Sequence, residues 1–406
     1  MTNQFSSQIW YAVFFVTIAC TGSSLAADAR SNAVIPAIRW QVPAKFPVGV
    51  ETIVSGRGVG LPKGNPGIVL LNTADGRLSV AQRDGDSDRF LWFAAINKET
   101  RGQTISASAK PVDVKNIVSI HKVPEGFEFR DGDRRVMHYQ RLQKSLAGKS
   151  PRANYVHPLF GLDGDQLTQD FPVDHIHHRG IFWAWHQIYV GDRPAGDSWE
   201  NKGLQSVVRK ARVVEQGPLF ATLELIVDWT SSVITDKAGN PTPIVEETTR
   251  IRLFHATANF QYVDFRIQLK PLVENVRIGG ADNVKGYSGF TARIRPPREM
   301  TITDESGKIS KDAVGTKSRW ADVSGQFGTG ADISGVAILS HRSLPQFPPK
   351  WLLRHYGMQN IAYPGRHPIA LSAKKPLVLR HRLLLHRGEL KSATVSLHQQ
   401  AYEFLP

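Results

Sequence analysis

Cysteine is almost absent: the chain has one, Cys20, among 406 residues. Removal of the first 26 residues would leave no thiol, so neither disulfides nor thiolate catalysis can contribute. Methionine is nearly as scarce, at four, and no segment after the N-terminal one has the ~20 consecutive apolar residues of a membrane-spanning helix. Charge is missing before Asp28. What is abundant points elsewhere: 34 glycines, 24 prolines and nine tryptophans suit short strands and turns better than a helix bundle. With 41% hydrophobic and 21% charged residues the composition is globular, and the length allows two or three domains. The expectation is an all-β protein.

The apolar stretch Ile9–Cys20 is followed by Ser24-Leu25-Ala26, small at the two positions signal peptidase reads. Residues 1–26 are therefore predicted to be a signal peptide, and the mature chain to be exported to the periplasm or beyond. Two alternatives stay open: a retained N-terminal anchor, and a lipoprotein acylated at Cys20 in Ile18-Ala19-Cys20. The formal net charge of +14 would suit nucleic acid, an anionic surface or an acidic substrate. Export and the absence of zinc-finger or aromatic-basic RNA motifs disfavour nucleic acid. An anionic glycan remains the natural counterpart of the charge.

Residues 27–115 read as an N-terminal β-rich region, with strands at Gly67–Leu71 and Phe90–Phe93. Gly56, Gly58 and Gly60 are expected to be turn glycines, because neither a helix nor Lys-Ser/Thr follows as a phosphate loop requires. From 116 to 406 the alternation is more regular. Thr249, Ile251 and Leu253 oppose Thr248, Arg250 and Arg252; Val263, Phe265, Ile267 and Leu269 oppose Asp264, Arg266 and Gln268. His255–Asn259 between them has hairpin length. Leu377–Leu385 alternates likewise, and a second hairpin turning at Arg387-Gly388 is expected to return through Thr394–His398. With no βαβ rhythm and no repeat, a large antiparallel β-sandwich is the architecture these patterns favour. Glu246-Glu247 reads as the solvated start of a strand, and the basic stretch Lys350–Arg387 as solvated charge or the lining of an anionic-glycan groove.

One region departs from this composition. Five of the 14 histidines fall between 157 and 186, and three of the nine tryptophans between 183 and 199. Asp174-His175-Ile176-His177-His178-Arg179 is too polar to bury without partners. Imidazole exchanges protons near neutrality, Asp174 can fix a tautomer, and Arg179 can meet a substrate anion. Trp183 and Trp185 offer flat apolar faces for a sugar ring, or alternatively pack in the core. Candidate catalytic residues are Asp174, His175, His177, His178, Arg179 and Glu200. Candidate substrate contacts are His157, Trp183, Trp185, His186, Asp197, Trp199, Tyr287 and His355. A cupin-type metal site would need a glutamate where Ile181 and Phe182 stand, so no cofactor is predicted; a divalent metal on His175, His177 and His186, Asp174 or Glu200 is the alternative.

The run from Asn154-Tyr155-Val156-His157-Pro158-Leu159-Phe160-Gly161 through Asp174–Gln187 resembles the bacterial family DUF6807, catalogued also as "methane oxygenase PmoA". Gly196–Trp199, Lys285-Gly286-Tyr287, Trp351–Gly357 and Pro376–Leu383 extend the resemblance over most of 116–400. Methane oxidation by the membrane enzyme of that name would need apolar spans this chain lacks. The resemblance implies instead a secreted protein of polysaccharide-degrading bacteria, with a sandwich similar to the galactose-mutarotase-like supersandwich. Enzymes of that fold pair a histidine with a carboxylate across the sugar ring. The expected function is an exported carbohydrate-active enzyme, a glycoside hydrolase or polysaccharide lyase, acting on a glycan or sugar derivative by histidine acid–base chemistry. A non-catalytic glycan-binding module and a metal-dependent oxygenase are the alternatives.

Overall fold

Strict two-residue alternation requires one dry face and one wet face, and in the computed structural model two nine-stranded antiparallel sheets provide them. Residues 36–61, 67–72 and 78–406 are described. The expected signal peptide, with Cys20, lies outside them. Among the described residues no helix is long and apolar enough to cross a membrane.

The first large sheet runs, edge to edge, through Ala313–Lys317, Lys350–Leu353, Met358–Ile361, Gly289–Arg293, Ile181–Ala184, Tyr155–Leu159, Arg134–Gln140, Gly126–Asp131 and Val118–Val123. The second runs through Leu204–Glu215, Phe220–Thr235, Pro241–Phe254, Phe260–Pro271, Leu377–Arg387, Ser334–Ser340, Trp320–Gln326, Arg298–Asp304 and Gly307–Lys308. Their facing sides share one core, in which Val156, Ile181 and Trp183 of the first meet Ile251, Phe265 and Leu383 of the second. The expected hairpin across His255–Asn259 is present, with Ile251 opposite Phe265 and Leu253 opposite Val263. Among the described residues the fold is all-β but for one helix, as the turn-rich composition indicates.

Six strands between Ala37 and Pro111 close into a separate barrel. Gly56 and Gly58 lie within its strand Glu51–Val59 and not in a turn. A Cβ on Gly56 would come within 2.7 Å of the Arg39 carbonyl oxygen and 2.8 Å of Trp92, so the glycine lets two strands and an indole pack closely. Barrel residues Ile53 and Leu91 join Phe220, Phe254 and Trp320 in a second core. Gln82 cements the junction, donating to the Phe220 carbonyl and accepting from the Leu219 and Phe220 amides.

The expected return strand through Thr394–His398 is instead the helix Ser392–Glu403. Alternation over five residues fits either structure. The longer run settles it, because Val395, His398, Gln399 and Tyr402 share one helical face and are buried against barrel and sandwich.

Glu247 also departs from expectation: it is fully buried, whereas Glu246 lies part-exposed beside Arg209. Its carboxylate accepts from Asn154 Nδ2 at 2.9 Å, Trp229 Nε1 at 2.9 Å and Thr249 Oγ1 at 2.6 Å. Tyr139 donates to Asn154 Oδ1 at 2.8 Å, so the network ties the first sheet to the second through the core. Glu247→Ala strands three buried donors, and we expect a loss of about 3 kcal/mol or more in urea unfolding. A loss below 1 kcal/mol (roughly one ordinary hydrogen bond) would show the network to be dispensable.

Candidate functional site

The same alternation that sends Ile181 and Trp183 into the main core turns Phe182 and Ala184 to the opposite face of the first sheet. There they join Tyr155, Trp199, Leu352 and Met358 in a small apolar cluster. That cluster is the floor of a pocket of about 370 Å³, walled by His175, His177, His178, Trp199, Glu200, Lys285, Tyr287, Asp312, Arg354 and Tyr356.

The histidines arrive on a loop of two tight turns, in which the His175 amide bonds the Pro172 carbonyl and the His178 amide bonds the His175 carbonyl. Bridges between Asp170 and Arg179 and between Thr168 and Ile294 hold the ends of the loop. Gly180 leaves the loop where a Cβ would lie 2.0 Å from the Val156 carbonyl oxygen, so only glycine lets the chain rejoin the sheet here. Three imidazoles result, side by side: His175 stacks on His178 with centroids 4.7 Å apart, and His177 stands edge-on to both. Tyr356 continues the stack, 5.0 Å from His175. Asp174 braces the loop from behind, between His175 Nδ1 at 2.9 Å and Arg293 at 2.7 Å. Burial raises its carboxyl group, but these two hydrogen bonds outweigh that and hold its pKa below the ordinary value.

Glu200 approaches from another turn. Asp197 Oδ1 accepts the Trp199 and Glu200 amides, each at 2.8 Å, and its other oxygen lies 2.9 Å from His186 Nδ1. Buried Arg152 donates to the Ser198 and Trp199 carbonyls. So anchored, Glu200 Oε1 lies 3.7 Å from His177 Nε2, and both side chains keep part of their surface open to the pocket. Burial, then the positive charge of Arg152, pulls the His177 pKa down to about 4, and His178 is depressed further by burial and by His177. Both rings are neutral at pH 7. Burial, with Glu200 and Asp197 nearby, raises the Tyr287 phenol, which therefore stays protonated.

Several predicted site residues are elsewhere. Arg179 is wholly buried and does not reach the pocket: it pairs with Asp170 at 3.1 Å, donates to the Ser150 carbonyl and lies 3.2 Å over the Phe171 ring. Trp183 and Trp185 are not a sugar platform but core, since their face of the strand points at the second sheet; Trp185 donates to the Tyr363 carbonyl. His157 is bound to Thr168, beneath the loop and outside the pocket wall. His186 lies behind the wall, stacked on Trp199, with Asp197 as its brace. His355 turns away to Asp312 and the Ile309 carbonyl, and it is the adjacent Tyr356 that enters the pocket. Arg293, Arg354, Lys285, Asp312 and Tyr356 were not predicted as site residues. Lys285 and Tyr356 sit beside predicted residues in the recognisable motifs, whereas nothing in the sequence marks Asp312.

The metal alternative does not fit these side chains. Among the described residues no group of three or more His, Cys, Asp or Glu converges as a metal would require. Parallel stacking puts the ring nitrogens of His175 and His178 in two separate planes.

Residues 127–399 match the model of DUF6807, described as a family of unknown function. No curated protein matches the sequence significantly. Among solved structures, an α-mannosidase from Enterococcus faecalis V583 is similar at 9% identity and a TM-score of 0.41, over 91% of this chain and 45% of its own. A glycosyl hydrolase family 38 protein from Enterococcus faecalis is similar at 9% identity and 0.38, over 91% and 46%. The chain thus spans about half the length of either. A Salmonella typhimurium protein named as a mutarotase, YeaD, is similar at 9% identity and 0.28, over 67% of this chain and 94% of its own.

Burial lowers the pKa of His138, His157, His177, His178, His341, His381 and His398. Above pH 6.5 folded and unfolded chains are alike at these sites. Between 6.5 and about 4 the unfolded chain binds protons that the folded one refuses, so stability must fall as the pH drops through this window. Each such proton contributes a slope of ~1.4 kcal/mol per pH unit; His386, raised by Asp322, opposes with a single group. We expect Tm to decline steadily from pH 7 to pH 4.5, and less steeply in His381→Phe, which removes one buried ring far from the pocket. A Tm that rises over this range would contradict the assignment.

Proposed function

This chain belongs to the DUF6807 family, and from the geometry of its pocket we propose that it is a carbohydrate-active enzyme working by acid–base chemistry on an acidic sugar derivative. The observation that carries the reading is the His177–Glu200 pair, part-exposed at 3.7 Å inside a pocket walled by aromatic rings. Tyr287 and Tyr356, above buried Trp199, offer the flat apolar surfaces, and Glu200, Asp312 and Arg354 the polar groups, that a sugar ring needs. In keeping with this role we propose that the mature protein is exported.

The protonation states favour β-elimination over hydrolysis. A neutral His177, 3.7 Å from Glu200, is a proton acceptor, and a protonated Tyr287 is a donor. Lys285 has no ion-pair partner among the described residues and is free to meet a substrate carboxylate, whereas Arg354 is already paired with Asp312. In this scheme His177 takes the proton beside the sugar carboxylate. The freed electron pair closes a carbon–carbon double bond, the glycosidic oxygen leaves, and Tyr287 protonates it. Lys285 offsets the negative charge that builds up on the carboxylate before the oxygen departs.

Three expectations follow from this arrangement. His177→Gln should lower kcat by about 100-fold or more on a uronate-containing glycan, with the ultraviolet absorbance of the unsaturated product as readout, while Lys285→Met should both raise KM and lower kcat. Product that carries new reducing ends without unsaturation would point to hydrolysis, and full activity in His177→Gln would remove the proposed base. Because His177 titrates near 4, kcat/KM should rise through pH about 4 and be level by pH 6. An acid limb near 6.5 would mean that the working imidazole is a different one.

A further inference from the structure

On the outer face of the second sheet, away from the histidine pocket, lies a groove of about 730 Å³, roughly twice the pocket's volume. Its floor carries a row of like charges. Arg250 is the register partner of Arg266, and Arg266 of Arg380, so three arginines from three adjacent strands stand side by side. Like charges directly opposed across antiparallel strands destabilise a sheet.

The flanking members of the row have acceptors. Arg250 pairs with Glu224 at 2.6 Å, and Arg380 reaches the Leu405 carbonyl at 3.4 Å and His341 Nδ1 at 3.5 Å. Arg266, in the middle, donates only to Gln268 Oε1 at 3.1 Å and has no carboxylate partner among the described residues. The acids that line the groove are committed elsewhere: Asp84 to Arg252 at 2.5 Å, and Asp264 to Arg382 at 2.6 and 2.8 Å. Lys375 adds an exposed cation at the rim. Burial, then the charges of Arg250 and Arg380, lowers the pKa of Arg266, which is the signature of a cation lacking its counter-charge.

We propose that this groove binds an acidic saccharide, with Arg266 and its two neighbours taking carboxylate or sulfate oxygens from successive sugar units. Adjacent strands place the three arginine backbones ~4.8 Å apart, close to the advance of one sugar ring along a saccharide that carries an acidic group on each ring. An extended acidic peptide presents same-side groups only every ~6.8 Å, further apart than the arginine backbones. Guanidinium forks grip such oxyanions in pairs. The groove shares with the histidine pocket only the class of ligand and stands whether or not that pocket is catalytic.

Isothermal titration of the full chain with trigalacturonate, an uncharged trisaccharide, triglutamate and inorganic sulfate tests this. Trigalacturonate should bind, more weakly as salt is raised, and Arg266→Met should lose about tenfold in affinity while melting at or above the wild-type temperature, since the repulsion is relieved. Lys375→Gln, at the exposed rim, should lose about threefold, and provides a second variant should the first not fold. His177→Gln should bind trigalacturonate at this groove as the wild type does. The proposal is overturned if no anion binds, if sulfate alone binds, if the uncharged trisaccharide or triglutamate binds as tightly, or if Arg266→Met and Lys375→Gln both bind like the wild type.

Discussion

The histidine site depends on a charge that never touches it. Arg179 is sealed beneath Phe171, paired with Asp170 and bonded to the Ser150 carbonyl, with no surface left to solvent. A buried guanidinium without such partners would be very costly, so the loop between Asp170 and Arg179 has little freedom to open. Its two turns then hold three imidazoles together, two stacked and one edge-on, at a spacing a flexible loop would not maintain. The residue that reads from sequence as the substrate's anion contact is the clamp that makes the contact surface possible.

A second layer of fixed polar groups works in the same way. Asp174, Asp197 and Asp312 each hold a histidine and at least one further donor, and each lies behind or beside the part-open surface of His177 and Glu200. Pre-organised support of this kind lets a side chain keep one geometry while its neighbours push its proton affinity away from the usual value. The depressed affinity of His177 follows from the low-dielectric floor of Phe182, Leu352 and Met358 and from buried Arg152. Neutral imidazole is thereby kept available across the physiological range.

Both large sheets therefore use their outer faces for polar purposes and share their inner faces as core. On the first sheet the outer face carries a polar pocket edged by aromatic rings; on the second it carries an arginine row in a wider groove. Glu247 shows that the core between them is itself pinned by a satisfied polar network, which fixes how the two sheets stack.

Much of this was legible in the chain. Period-two alternation alone identified the strands around Ile251, Phe265 and Leu379 and which side chains share a face, because pleating leaves no other option. Polar density likewise marked 174–178 as a region that had to meet solvent or partners. Which of two faces is inside was not legible: Trp183 and Phe182 alternate, and only the packed partner sheet sends the indole inward and the phenyl beneath the pocket. Register was equally hidden. Arg250, Arg266 and Arg380 are widely separated along the chain, and the hydrogen-bonded pairing of three strands alone makes them neighbours, just as it brings Asp312 and Tyr356 to histidines far away in sequence. Local pattern specifies the period of a strand; proximity between strands is a property of the closed core, and that is where both sites were decided.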